Sequence, residues 1–138
     1  MKSFVPLLAL LLSFGAAAAE VSDATVEKIL GVSGAKHSSK AQNRYGIQFS
    51  DVEYQDGKGQ TLFTLRLGTP EQYALWKQAA GGDAQDLSGV GHEAFRYKSF
   101  KAVCAKSATV AACVTPDFLL KSPAITDAHL QALLKAAL

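Results

Sequence analysis

Within the stretch GVGHEAF, His92 and Glu93 set an imidazole beside a carboxylate, directly after Gly89 and Gly91. Three chemistries begin this way. A zinc metallohydrolase carries two histidines four apart on a helix, with a glutamate after the first; four beyond His92 stands Arg96. A dinucleotide-binding turn needs a third glycine and a helix after it, so that phosphate meets the helix N-terminus. Three beyond Gly91 stands Ala94, and Phe95 and Tyr97 alternate with Arg96 and Lys98, which predicts a strand. A P-loop ends in Gly-Lys-Ser or Gly-Lys-Thr, absent here. On a strand, His92 and Glu93 point to opposite faces and cannot share one metal ion. The stretch reads instead as a turn. Gly89 and Gly91 bend the chain into the strand, and Glu93 is expected to accept hydrogen bonds from backbone N–H groups there. The alternative is a small envelope hydrolase or metal-dependent enzyme that uses His92 and Glu93 with groups brought from elsewhere.

Other reactive types are scattered. No serine sits in a Gly-x-Ser-x-Gly elbow, and His37 and His129 fall in a loop and on the last helix. Asp51 and Glu53 share one strand face and read as a solvated edge. No catalytic residue, metal ligand or cofactor is assigned. Arg66, Arg96 and Lys98 are expected to share the wet face of a sheet, a binding surface for a small anionic ligand or an envelope protein. Trp76 has core spacing on its helix.

Cys104 and Cys113 are the only cysteines. A hairpin with Ala108-Thr109 at its tip pairs 107 with 110 and, counting back, sets Cys104 opposite Cys113 in a non-hydrogen-bonded pair. There the Cα atoms approach to about 4.5 Å and a bridge fits. The spacing is not that of CxxC redox chemistry. A structural disulfide is expected.

Which elements must position these groups? Ser22 caps a short helix carrying Val26, Ile29 and Leu30, stopped by Gly31. Residues 31–43, rich in Gly, Ser and Lys, read as a loop. Tyr45, Ile47 and Phe49 alternate, then Val52 and Tyr54 continue out of phase, which suggests a bulge near Ser50-Asp51. QDGKGQ turns the chain into a second strand with Phe63, Leu65 and Leu67 on one face. Thr69, Pro70 and Gln72 supply N-cap, first-turn proline and capping box for a helix that Gly81-Gly82 end. After the loop DAQDLSGVG come strands at 92–98, 100–106 and 109–115. Thr126 caps a final helix with Leu130, Leu133, Leu134 and Ala137 along one side. Neighbouring strands joined by short turns predict an α+β fold, an antiparallel β-sheet of about five strands with helices packed on one face.

The N-terminal MKSFVPLLALLLSFGAAAAE has a basic residue, an apolar run and Ala17-x-Ala19, the pattern of a cleaved export signal. Residues 1–19 are read as that signal and 20–138 as a single α+β domain, periplasmic or secreted. No membrane span is expected after cleavage. With 14 basic and 12 acidic side chains in 138 residues, the formal charge is +2, too small for a nucleic-acid partner.

DLSGVGHEAF resembles a Gly-x-Gly-Asp-Glu-Ala-aromatic element of bacterial exported domains of uncharacterised function, including sensor-like and lipoprotein α+β domains. The similarity extends in order of elements from residue 69 to 115. His92 stands where that pattern has an acid, and no lipobox cysteine is present, so lipoprotein and kinase associations do not carry over. The resemblance implies a compact exported domain that binds a ligand or protein partner without catalysis.

Overall fold

A computed structural model describes residues 20–44 and 46–138. The expected signal at 1–19 and the strand position given to Tyr45 lie outside the described residues. Among the described residues three helices, α1 (Asp23–Leu30), α2 (Pro70–Ala80) and α3 (Asp127–Ala137), accompany seven strands. The strands are β1 (Lys36–Arg44), β2 (Ile47–Gln55), β3 (Thr61–Gly68), β4 (Ala84–Leu87), β5 (Glu93–Tyr97), β6 (Val103–Lys106) and β7 (Ala111–Pro116). They form one open sheet in the order β1-β2-β3-β7-β6-β5-β4, and every neighbouring pair is antiparallel. The α+β antiparallel class is as read from the sequence.

The sheet has seven strands rather than the expected five, because neither edge strand carries a strand signature in its sequence. In β1, KHSSKAQNR, eight of nine residues are exposed, so no apolar alternation marks it. β4 is only four residues, AQDL. β2 pairs with β1 without interruption from Ile47 to Gln55, so there is no bulge at Ser50-Asp51; the register shifts at Tyr54/Gln55. The change of phase has another cause: Phe49 faces one side of the sheet, while Val52 and Tyr54 face the other.

On the first face, Val52, Tyr54, Phe63, Leu65, Ala105, Ala112 and Val114 meet Val26 and Leu30 of α1 and Leu130, Leu133, Leu134 and Ala137 of α3. Helix α2 lies on the second face, where Tyr73 packs with Phe95, Cys104 and Ala111, and Trp76 and Ala80 close over them. Two helices thus share one face and the third covers part of the other.

The capping signals place the helices. Ser22 accepts from the Thr25 N–H, Thr69 and Gln72 close a capping box, and Thr126 closes another with His129. Gln72 also reaches out of its helix, donating to the Gln48 carbonyl and tying α2 to β2.

Candidate functional site

Register decides which side chains meet. Arg66 lies opposite Cys113, Cys113 opposite Cys104, and Cys104 opposite Phe95. Arg66 therefore shares the α2 face with Phe95, and Arg96, one residue on, projects to the other side. There Arg96 pairs with Asp127 in the first turn of α3, at 2.9 Å. Lys98 follows the end of β5 and is exposed, its N–H donating to the Asp83 carbonyl. The expected Arg66–Arg96–Lys98 surface is not assembled.

What gathers around Arg66 is different. Its Nε and Nη2 donate to the two Asp51 oxygens at 2.9 and 3.2 Å, and its guanidinium rests 4.3 Å from the centre of the Phe49 ring. This pair borders a cleft of about 200 Å³ whose lining includes Trp76, Tyr97, Phe100 and the Cys104–Cys113 bridge. A guanidinium has five N–H donors. Only two go to Asp51, and the other three have no protein acceptor among the described residues. Trp76, assigned to the core from its spacing, is half-buried and forms part of the cleft wall. Tyr97 stacks on Phe100 at 4.5 Å and meets Phe95 edge-on at 5.4 Å, and Phe95 meets Tyr73 in the same way. The aromatic wall is thereby anchored in the core beneath α2. Burial raises the Tyr97 phenol above its ordinary value, against the opposing effect of Arg66, so it stays a neutral hydrogen-bonding group. The cleft joins an aromatic wall of Trp76, Tyr97 and Phe100 to Thr64, Thr115 and the Arg66–Asp51 pair, an arrangement that can hold an acceptor-bearing apolar group.

The disulfide is present as expected: Cys104 and Cys113 are directly paired with Cα atoms 4.0 Å apart, and the Ser107 N–H donates to the Val110 carbonyl at the hairpin end.

GVGHEAF forms its turn. Gly89 and Gly91 have φ of +88° and +60°, and the His92 N–H donates to the Lys106 carbonyl. The His92 ring is exposed and makes no hydrogen bond among the described residues. Glu93 does not cap the turn. It projects to the α2 face, 3.2 Å from the Lys77 ammonium and 4.0 Å from that of Lys106, and Lys77 also meets Asp86 at 2.8 Å. Asp86, then Glu93, hold the Lys77 pKa above its ordinary value. The Tyr73 hydroxyl, buried beside this cluster, has no hydrogen-bond partner among the described residues, and burial raises its pKa.

His37 is the histidine with strong partners. Its Nδ1 lies 2.6 Å from Asp23 and its Nε2 3.0 Å from Glu20, with the Tyr54 ring 5.2 Å away. Because each nitrogen faces a different carboxylate, the three groups do not converge on one ion. Among the described residues no three His, Cys, Asp or Glu side chains do so. Nothing local in the sequence marks this contact, because the polar run around His37 has the composition of a loop.

Comparison with protein-family models, with curated proteins and with solved structures finds no match to this chain. No helix among the described residues is long and apolar enough to cross a membrane.

Proposed function

We propose that this chain is a non-catalytic, extracytoplasmic binding domain, and that it receives an apolar or aromatic group bearing a carboxylate in the cleft between α2 and the β5–β6 turn. The observation that carries the reading is Arg66: a cation with unused donors, set among Trp76, Tyr97 and Phe100. Apolar walls with few, fixed polar groups are the usual makeup of a small-ligand site. Export is supported by the signal-like segment at 1–19 and by a disulfide of the kind that persists in oxidising compartments. The likeness of DLSGVGHEAF to elements of exported domains points the same way.

The test uses the single tryptophan, which lines the cleft. Titration with N-acetylphenylalanine, phenylacetate and decanoate should give a saturable change in Trp76 emission for at least one of them, with Kd below about 1 mM. Arg66→Gln should weaken that ligand about tenfold or more while keeping the thermal midpoint close to wild type. Failure of all three probes, or equal affinity in Arg66→Gln, overturns the assignment.

A further inference from the structure

Beyond that cleft, the same end of the sheet carries an apolar projection. Phe100 is 51 % exposed, Phe118 90 % and Leu119 72 %. Phe100 belongs to the β5–β6 turn, and Phe118 and Leu119 to the connector between β7 and α3, yet Phe100 and Phe118 line one depression of about 470 Å³ with Pro116, Leu120 and Ile125. The projection is held in place. The Asp117 N–H donates to the Leu62 carbonyl at 3.0 Å, and Asp117 accepts through its side chain from the Leu119 N–H at 3.2 Å and through its carbonyl from the Leu120 N–H at 3.1 Å.

Charge around it is in basic excess. Lys98, Lys101 and Lys121 are exposed on these two segments, the Lys101 ammonium donating to the Ile125 carbonyl at 2.9 Å. Of the nearby acids Asp127 is paired with Arg96, while Asp117, in its own turn, and Asp83, with Ser99, keep their charge. Large apolar groups left in water on one surface mark an interaction site. Here they are exposed on two short loops that also carry the three lysines. That form matches a deformable anionic interface, where rings and aliphatic chains enter the headgroup boundary and each nearby lysine strengthens partition about fivefold.

We propose that this end of the domain docks on an anionic lipid surface, with Phe118 and Leu119 entering the headgroup layer and Lys98 and Lys121 meeting lipid phosphates. The full domain should float with vesicles of phosphatidylcholine containing about 30 mol % phosphatidylglycerol, but much less with phosphatidylcholine alone. Raising salt from about 50 to about 300 mM should lower partition tenfold or more. The pair Phe118→Glu with Leu119→Glu should lower it about tenfold or more, and the pair Lys98→Glu with Lys121→Glu about 25-fold or more, each at an unchanged thermal midpoint. Phe118→Trp should gain a blue-shifted emission on vesicle addition. Three results overturn the proposal: no binding to anionic vesicles at low salt, binding without a blue shift, or a solution dimer that Phe118→Glu dissociates in a protein that ignores vesicles. Phe118 and Leu119 lie outside the Arg66 cleft, so their variants leave the aromatic-acid titration unchanged, and the two proposals fail separately.

Discussion

Gly89 and Gly91 look alike in sequence and differ in what surrounds them. Both occupy left-handed backbone, but a Cβ on Gly89 would meet nothing within 4 Å. A Cβ on Gly91 would stand 2.4 Å from the Lys106 carbonyl oxygen and 3.0 Å from Leu138. Gly89→Ala should therefore cost only its conformational penalty, about 1 kcal/mol. Gly91→Ala should cost about 3 kcal/mol, because β6 or the end of α3 must shift as well. Urea unfolding of the two variants checks the order; equal losses would refute it. His37 makes the second prediction. The hydrogen bond to Asp23, then the charges of Asp23 and Glu20, raise its pKa above 6.5 despite partial desolvation. A raised folded value means that the imidazolium stabilises the fold below the unfolded pKa, and that this contribution is lost as pH rises through the folded one. Thermal midpoints of wild type and His37→Asn should differ at about pH 5.5 and converge near pH 8.5. A gap that persists at the higher pH would show that charge is not the cause.

At the level of elements, the β6–β7 hairpin was legible down to its register, because both strands are apolar, short and closed by a two-residue tip. Its bridge closes a small loop. Replacing both cysteines by alanine should lower stability by about 2–3 kcal/mol without loss of the sheet, as measured by urea unfolding and far-UV dichroism. The three helices were legible from caps and spacing. β1 was not, since an edge strand exposed on both sides needs no apolar residues, and its polar sequence looks like loop. The site suffered from the same gap at longer range. Whether Arg66 and Arg96 share a face depends on the strand order β3-β7-β6-β5, which places a chain of three pairings between them. Local alternation tells odd from even within a strand, but not which parity aligns across strands brought together by tertiary folding.

Across the whole molecule, cover is uneven. Among the described residues β6 and β7 lie between α2 on one face and α3 on the other, whereas α2 reaches β2 and β3 only through Gln72 and Trp76 and β1 is an open edge. Amide exchange should follow this layering, with β6 and β7 opening only in global unfolding and β1 exchanging roughly 100-fold faster or more. Uniform protection across the sheet would contradict it. The same layering puts Trp76 against the cluster that contains Cys104 and Cys113, and the three side chains border one small cleft. A disulfide is an electron acceptor for an excited indole. The oxidised protein is therefore expected to be dim and the reduced protein bright, so the chain carries an internal optical gauge of its own redox state, readable without a label in whichever compartment it occupies.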